Sequence, residues 1–309
     1  MNHIPPSGFP YAWCSASGED AFGIWLEFIV KGITQRMRWI GPGQFSMGSP
    51  YDELHRHHYE SRHEVTLKKG FWMADTACSQ ELWLVVMETN PSKKKGAKRP
   101  VEMVSWDDCR EFLRRENSII RDHTLSLPTE AQWEYSCRAG TTGPFSFGIT
   151  VTPDQVNYNG EYPYFGEKKE LNRGETVEVK SLPPNQWGLY EMHGNVWEWC
   201  MDWYGEYETG RVIDPSGPAE GKYRVLRGGS AYSAAADCRC AARSRCHSDG
   251  RYGRNGFRFV WNPWNPPEPG KEKERQEPED LPEKDALEKA GEECIIIPAK
   301  EELTMRNTL

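Results

Sequence analysis

Residues 227–260 read RGGSAYSAAADCRCAARSRCHSDGRYGRNGFRFV and are the most informative part of the chain. Between Ala231 and Asn255 there is no Lys, Glu, Gln, Met or Trp, although the rest of the chain uses all five. Small residues combined with Tyr and Arg are typical of recognition surfaces. The flanks, residues 227–230 and 256–260, resemble a fixed framework. The pattern therefore indicates a recognition surface held by a fixed framework. We call residues 231–255 the recognition stretch.

The composition predicts a globular protein with a core of large rings. The chain has 309 residues, of which 37% are hydrophobic and 12% aromatic, with 13 Trp. The 28 Gly and 22 Pro indicate many turns and few long helices. A net charge of -8 argues against nucleic acid as a partner of the whole chain.

The sequence also suggests a location and a redox state. No apolar run approaches the length of about 18 residues that indicates a membrane span, so no membrane insertion is expected. The first residues lack the basic and apolar regions of a signal peptide, which predicts a cytoplasmic protein. The nine Cys form no C-x-x-C pair, so reduced thiols are expected in place of a disulfide framework.

Changes in composition divide the chain into three parts. Residues 1–20 are rich in Pro, Ser and Gly and are predicted to form an N-terminal arm. Residues 21–265 are predicted to form one domain. Residues 266–309 are predicted to be a disordered tail, because Glu, Lys and Pro dominate most of it.

Within the domain, three helices and several short strands are predicted. The helices begin near Ser79, Ser105 and Thr129, and Asp108 and Gln132 complete capping boxes for the second and third. Beyond residue 140 the chain is turn-rich, so irregular loops around a small sheet are expected. Strands are predicted over residues 24–30, 35–40, 44–47 and 64–73.

Five separated motifs occur in a characteristic order. They are FSMG at 45–48, PVEMVSW at 100–106, LPTEAQWEY at 127–135, GLYEMHGNVWEW at 188–199, and RGGS at 227–230 with GFR at 256–258. Together they resemble the sulfatase-modifying-factor family, to which formylglycine-generating enzyme belongs, over residues 35–260. The resemblance implies an α+β, C-type-lectin-like fold with little regular secondary structure.

The resemblance also implies where a catalytic metal would lie. The oxidase of this family uses copper held by two cysteines just after the Gly-Gly-Ser motif. Ser233 occupies the first of these positions, and the second falls within residues 235–237, in a loop shorter by three residues. Cys238 and Cys240 are a poor substitute for two thiolates that converge on a soft metal across a loop. We therefore expect no copper and predict that the chain is not an enzyme.

A second branch of the family resembles the variable proteins of diversity-generating retroelements. Such elements rewrite adenines in a coding repeat, and AAC or AAT codons can become the residue types found in the recognition stretch but not the five that are missing. The resemblance implies these variable, ligand-binding positions: Tyr232, Ser233, Ala234, Asp237, Ala242, Ser244, Cys246, His247, Gly250, Tyr252, Gly253 and Arg254. Among them, the side chains of Tyr232, Ser233, Asp237, Ser244, His247, Tyr252 and Arg254 are expected to converge on one exposed face, while Cys238, Ala241 and Phe257 point into the core.

Three functions remain open at the level of the sequence. The favoured one is a non-catalytic ligand-binding protein whose surface has been diversified and whose partner is a protein or another macromolecule. The alternatives are a copper-dependent formylglycine-generating oxidase that acts on a client cysteine, and a structural scaffold module.

The resemblance further implies a calcium ion in the turn after Glu191. Side chains of Glu191 and Glu198 and carbonyls of Gly194 and Val196 are the implied ligands, and oxygen ligands of this kind suit calcium. A second calcium site would use Asn157 and the Tyr158 carbonyl. Without metal, Glu198 needs arginine or backbone donors, because a buried carboxylate without partners is costly.

Overall fold

A computed structural model describes residues 8–120, 122–166 and 168–264. These residues form three α-helices, three β-sheets and long irregular segments, so the α+β prediction is confirmed. The predicted tail over residues 266–309 lies outside the described residues.

Thirteen strands are present among the described residues. They are β1 (Ala16–Asp20), β2 (Gly23–Val30), β3 (Ile33–Ile40), β4 (Gly43–Met47), β5 (His63–Leu67), β6 (Phe71–Ala74), β7 (Leu125–Ser126), β8 (Trp197–Trp203), β9 (Arg211–Ile213), β10 (Arg224–Arg227), β11 (Arg243–Cys246), β12 (Asn255–Gly256) and β13 (Val260–Trp261). The largest sheet has the order β1-β2-β3-β6-β13-β7, the second β11-β10-β8-β12, and the third β4-β5-β9.

The first hairpin shows how the sequence sets this architecture. Leu26, Phe28 and Val30 alternate along β2 and are fully buried, which is the period of a strand with one face on the core. Lys31 and Gly32 both have positive φ, 47° and 90°. Two such residues make the tight turn whose twist matches antiparallel strands, and β3 therefore pairs directly with β2.

The structure corrects the prediction of an N-terminal arm for residues 8–20, the part of that segment that it describes. Residues 16–20 are β1, which pairs along β2 as an edge strand. Upstream, Phe9 stacks on Trp72 with ring centroids 5.4 Å apart, and Trp13 packs on the edge of Trp261 at 4.9 Å. Residues 8–20 thus belong to the domain, because their aromatic rings cover its core.

The helices begin where capping predicts. They are α1 (Gln80–Met87), α2 (Trp106–Ile119) and α3 (Glu130–Arg138). Ser105 with Asp108 and Thr129 with Gln132 form reciprocal capping boxes, as predicted. Within the described residues, none of the helices combines the length and apolar character needed to cross a membrane.

Tryptophan rings fill the core between the second sheet and the helices. Trp187, Trp197 and Trp199 are buried, whereas Trp203 is only partly so. The Trp199 indole donates to the Val104 carbonyl at 3.0 Å, so its one polar atom is satisfied inside the protein. The buried rings are therefore structural, and the Trp199 hydrogen bond connects β8 to the segment before α2.

Residues 227–260 connect two of the sheets. They end β10, form β11 at the edge of the second sheet, return as β12 parallel to β8, and finish as β13 inside the largest sheet. Their course is thus fixed at four places, and two of these, β11 and the first residue of β12, lie within the recognition stretch.

The core assignment gives the first prediction. Trp199→Ala should lower the free energy of unfolding by about 3 to 5 kcal/mol, because it empties a fully buried ring site and removes a satisfied hydrogen bond. Urea unfolding followed by circular dichroism measures the change. Tyr51→Ala, at a side chain that is 91% exposed, is the control and should change it by less than about 0.5 kcal/mol. Equal effects of the two changes would contradict the assignment.

Candidate recognition surface

Four buried arginines hold the recognition stretch and its flanks in place. Arg239 donates to Glu53 at 2.6 Å and to both carboxylate oxygens of Glu60 at 2.8 Å. The other pairs are Arg227 with Glu134, Arg243 with Glu130, and Arg258 with Glu198. Every partner lies in a distant part of the chain. These ion pairs therefore fix the backbone of the recognition stretch, to which the surface side chains belong.

The first loop of the stretch is held by backbone contacts. The Asn159 amide donates to the Ser233 carbonyl at 2.9 Å, and the Ala235 amide donates to the Tyr162 carbonyl at 3.0 Å. Gly229 has φ +75°, and a Cβ there would stand 2.5 Å from the Cys238 sulfur, so only glycine fits this turn. The loop is therefore closely packed on its inner side.

Exposure of the twelve predicted positions is uneven. Tyr232 is 44% exposed. Seven others are partly exposed, namely Ala234, Asp237, His247, Gly250, Tyr252, Gly253 and Arg254. Cys238, Ala241 and Phe257 are fully buried, as expected.

The remaining four positions, Ser233, Ala242, Ser244 and Cys246, are buried, so the expected exposure of Ser233 and Ser244 is wrong. Ser233 turns its hydroxyl inward, where Oγ accepts from the Ser230 amide at 3.1 Å. Ser244 and Cys246 lie on β11, whose pairing with β10 draws them into the sheet, and Cys246 joins the main core. The surface is therefore smaller than the twelve positions implied.

The exposed positions form two neighbouring groups. Tyr232, Ala234 and Asp237 belong to the first loop, and Tyr252 to Arg254 form the end of the stretch. The guanidinium of Arg254 lies 5.5 Å from the Tyr252 ring centroid and also acts on the charge of Asp237. The His247 ring packs on Tyr223, with the ring centroids 4.5 Å apart.

Several buried polar atoms beside this surface have no protein partner among the described residues. They are Glu102 Oε2, Arg254 Nε, and both side-chain polar atoms of Asn255. Glu102 Oε1 accepts from the Lys94 amide at 2.9 Å, whereas Oε2 faces Gly253, whose added Cβ would lie 3.4 Å away. Buried polar groups in proteins are normally hydrogen-bonded, so this corner is suited to an additional polar partner.

Sequence reasoning missed an apolar rim next to the first loop. Tyr162 and Phe165 are each 50% exposed, and Leu54 is 44% exposed. The Tyr164 hydroxyl donates to the Leu54 carbonyl at 2.9 Å and so connects the two segments. The aromatic run between Gly160 and Gly166 was a signal in the sequence, but only the fold places it beside residues 231–238.

The loop that would hold copper contains one buried thiol. Ser233 stands at the first implied position, and Cys238 donates to the Ala234 carbonyl at 3.6 Å. Burial raises the pKa of Cys238 well above its ordinary value, so this thiol stays protonated near neutral pH. The described loop thus offers no pair of exposed thiolates.

The implied calcium turn is only partly suited to a metal. Both oxygens of Glu198 accept from Arg258, at 2.7 and 2.8 Å, and one also accepts from the Trp133 indole at 2.7 Å. Glu198 is therefore the anion of an ion pair and not a free metal ligand. Glu191 accepts from the Lys180 amide at 3.2 Å, and burial raises its pKa to about 7. Calcium at this turn stays a prediction.

The second implied calcium site lies beside the same turn. Asn157 Nδ2 donates to the Glu175 carbonyl at 2.9 Å and to Asn195 Oδ1 at 3.1 Å. Its Oδ1 has no partner among the described residues, so the oxygen that would bind a cation is available. This site, too, stays a prediction.

Comparison with known proteins identifies the family. Residues 30–263 match the model of the sulfatase-modifying factor enzyme 1-like domain, and the chain belongs to this family. It is 35% identical to formylglycine-generating enzyme of Streptomyces coelicolor over 201 residues, which are 59% of this chain and 62% of that enzyme. It is 38% identical to formylglycine-generating enzyme of Bos taurus over 168 residues, 52% of this chain and 43% of that enzyme. The chain thus spans about half the length of the curated relatives it matches.

The prediction that the chain is not an enzyme is contradicted by these relatives. Several curated proteins at about 35% identity over half of the chain are named formylglycine-generating enzyme. The prediction was drawn from the missing cysteine pair and the shortened loop after the Gly-Gly-Ser motif, and this one loop does not outweigh the agreement over the rest of the domain.

A solved structure confirms the predicted fold and the predicted resemblance to the variable proteins. Treponema denticola variable protein 1 superposes with a TM-score of 0.69 at 26% identity, over 77% of this chain and 98% of that one. The fold is α+β and C-type-lectin-like, of the formylglycine-generating-enzyme type, as predicted.

The burial of Asp237 predicts a pH effect. Burial raises the pKa of this carboxyl to about 6, although Arg239 opposes the shift. The unfolded carboxyl loses its proton near pH 4. Ionisation in the folded protein therefore costs stability as the pH rises from about 4 to 6, and this cost persists above pH 6.

Asp237→Asn removes that cost. The variant should match the parent near pH 4 and exceed its free energy of unfolding by roughly 1 to 3 kcal/mol at pH 7.5. Urea titrations at both pH values measure the difference. Glu206→Gln, at an exposed acid, is the control. A difference that is the same at both pH values would show that folding does not raise the pKa of Asp237.

Proposed function

We propose that this chain is a ligand-binding member of its family and that the exposed part of the recognition stretch contacts a protein ligand. The contact surface comprises Tyr232, Ala234, Asp237 and residues 252–254, with the apolar rim at Tyr162 beside it. The observation that carries the proposal is a compositionally restricted, partly exposed stretch on a backbone fixed by buried ion pairs.

Three physical features support binding at this surface. Tyr232 and Tyr252 offer large rings with few rotatable bonds, which gives contact area at a small entropic cost. Arg254 adds a guanidinium, and tyrosine and arginine are the residue types enriched in binding hot spots. Nε of the partly exposed Arg254 has no protein partner among the described residues and can donate to a ligand.

The likeness to Treponema denticola variable protein 1 supports the finer proposal that the surface is diversified. We propose that a retroelement varies the exposed positions and that buried Ser233, Ala242, Ser244 and Cys246 vary within the limits of packing. A neighbouring reverse-transcriptase gene, with a near-identical repeat that differs only at adenines, would be the direct genomic evidence. A repeat that differs equally at other bases would contradict diversification.

The names of the curated relatives favour a second candidate, a copper-dependent oxidase acting on a client cysteine. In that case the same surface would receive the client segment, because it adjoins the loop after the Gly-Gly-Ser motif. Both candidates therefore require a protein ligand at one place, and they differ in the chemistry that follows binding.

The binding proposal is tested with a phage-displayed library of random peptides, selected on the parent protein. Replacing Tyr232, Tyr252 and Arg254 together by Ala should weaken the selected peptides by more than tenfold, since these side chains are the anchors of the surface. The melting temperature should change little, because exposed substitutions cost about 0.5 kcal/mol each. Titration by biolayer interferometry measures the affinity.

A control variant separates surface from scaffold. Ile29, Arg114 and Ile119 are exposed on β2 and α2, and replacing all three by Ala should leave peptide affinity within about twofold. Equal losses in both triple variants would contradict the proposed location. Incubating the protein with Cu(I) and cysteine-containing peptides, followed by an aldehyde-reactive probe, tests the oxidase candidate directly.

A further inference from the structure

A strongly basic loop lies beside the proposed contact surface. Residues 93–99 read KKKGAKR, so five of these seven residues are basic and none is acidic, in a chain whose net charge is -8. This basic loop lies between α1 and α2. Lys93, Lys95 and Lys98 are exposed. The loop therefore places a concentrated positive charge on a protein that is acidic as a whole.

Two contacts place the basic loop next to the end of the recognition stretch. A Cβ added at Gly253 would stand 3.7 Å from Lys93 Cδ, so this lysine side chain lies directly beside the glycine. The Met103 amide donates to the Tyr252 carbonyl at 3.1 Å and ties the segment after the loop to the same place. The guanidinium of Arg254, the residue after Gly253, adds a further positive charge. The basic loop and residues 252–254 therefore form one positively charged area.

Two buried side chains hold the backbone of the basic loop. The Glu102 carboxylate accepts from the backbone amides of Lys93 and Lys94. The Gln80 side chain donates to the Lys94 carbonyl at 2.7 Å and accepts from the Gly96 amide at 3.1 Å. Both Glu102 and Gln80 are buried. The lysine side chains therefore extend from a fixed backbone.

The positive charge of the basic loop is only partly neutralised within the protein. Glu175 pairs with Lys94 at 3.4 Å and with Arg99 at 2.9 Å. Lys95 donates to the uncharged Asn90 carbonyl at 2.6 Å. Within the described part of the chain, no carboxylate forms an ion pair with the other three lysines of the loop. Lysines this close together repel one another, so carboxylates from a ligand would relieve that repulsion.

We propose that the protein ligand of the contact surface carries an acidic segment, whose carboxylates bind Lys93, Lys95 and Lys98. This inference rests on the proposed function, since it names the chemistry of the same ligand. The apolar rim at Tyr162 adjoins the first loop, whereas the lysines adjoin the end of the recognition stretch. The ligand accordingly offers apolar groups to the first loop and carboxylates to the basic loop.

An acidic segment of a protein fits the basic loop better than a nucleic acid does. The chain carries a net charge of -8, which opposes the approach of a long polyanion. A short acidic segment meets mainly the local positive charge, because exposed charges are screened beyond about 8 Å at physiological salt. The neighbouring apolar rim also suits a polypeptide more than a phosphate backbone.

The test uses the full chain and two phage-displayed pools of random peptides. The pools are identical except that the same fixed positions carry Asp or Glu in one and Lys or Arg in the other. Selection on the parent protein should enrich the acidic pool over the basic pool by more than about tenfold, because like charges at an interface are strongly disfavoured. Raising NaCl from about 0.05 M to about 0.5 M should slow association of the selected peptides by more than about fivefold, since salt screens exposed charges.

A charge-neutral variant assigns the effect to the basic loop. Replacing Lys93, Lys95 and Lys98 together by Gln should slow association of the acidic peptides by about five- to tenfold and change dissociation less, as is typical of charges at the rim of an interface. It should also remove most of the salt dependence. The melting temperature should change little, because all three side chains are exposed.

The matched control removes the same charge elsewhere. Lys31, Lys68 and Lys69 are exposed in the turns that follow β2 and β5, and replacing all three by Gln should leave the association rate within about twofold. Equal slowing in both triple variants would show that net charge acts in place of the basic loop, and would overturn the proposal.

Other outcomes would also overturn the proposal. They are selection of the basic pool, binders from an unconstrained library but none from the acidic pool, and tighter binding of an oligonucleotide than of acidic peptides. The proposed function is judged separately, with the variant in which Tyr232, Tyr252 and Arg254 are replaced by Ala. Acidic peptides that respond to the lysine variant but not to this one would count against the proposed function alone. The reverse pattern would count against the acidic ligand alone.

Discussion

Fully buried guanidinium groups cannot remain without partners, and this constraint determines much of the fold. Arg227, Arg239 and Arg258 are among the largest side chains that are completely buried, and each is paired with a glutamate from a distant element. A buried ion pair adds little net stability compared with apolar packing. Removing one partner, however, typically costs 3 to 5 kcal/mol, because it leaves an uncompensated charge. The pairs therefore determine which segments must lie together.

This constraint explains how a stretch so poor in large apolar residues can lie in the middle of a domain. The backbone of residues 227–258 is held by charge and by narrow turns such as Gly229, while aromatic rings elsewhere supply the apolar core. Surface side chains such as Tyr232 contribute little to holding this backbone or to the apolar core. When buried contacts fix the backbone and exposed side chains contribute little to it, a protein can change what it recognises without changing how it folds.

The sequence predicted those features of the fold that depend on interactions between residues close together in the chain, such as the starts of helices. The capping pairs at Ser105 and Thr129 involve residues three positions apart, so their spacing is visible in the sequence and both helices begin as expected. Burial of Ser244 depends on the pairing of β11 with β10, and the meeting of Cys137 with Cys240 joins residues 103 positions apart. Such long-range contacts have no fixed spacing. The prediction that the chain is not an enzyme was wrong for a different reason, since the missing cysteine pair in one loop was given more weight than the similarity over the rest of the domain.

The position of β13 has a consequence for how the protein is made. Residues 260 and 261 pair with β6 on one side and β7 on the other, so they fill the interior of the largest sheet. Until they emerge from the ribosome, two strand edges that will later be covered stay open, and unpaired edges invite association with other chains. The sheet can therefore close only after the whole recognition stretch has been synthesised, so any version of that stretch has to be translated before the scaffold beneath it is complete.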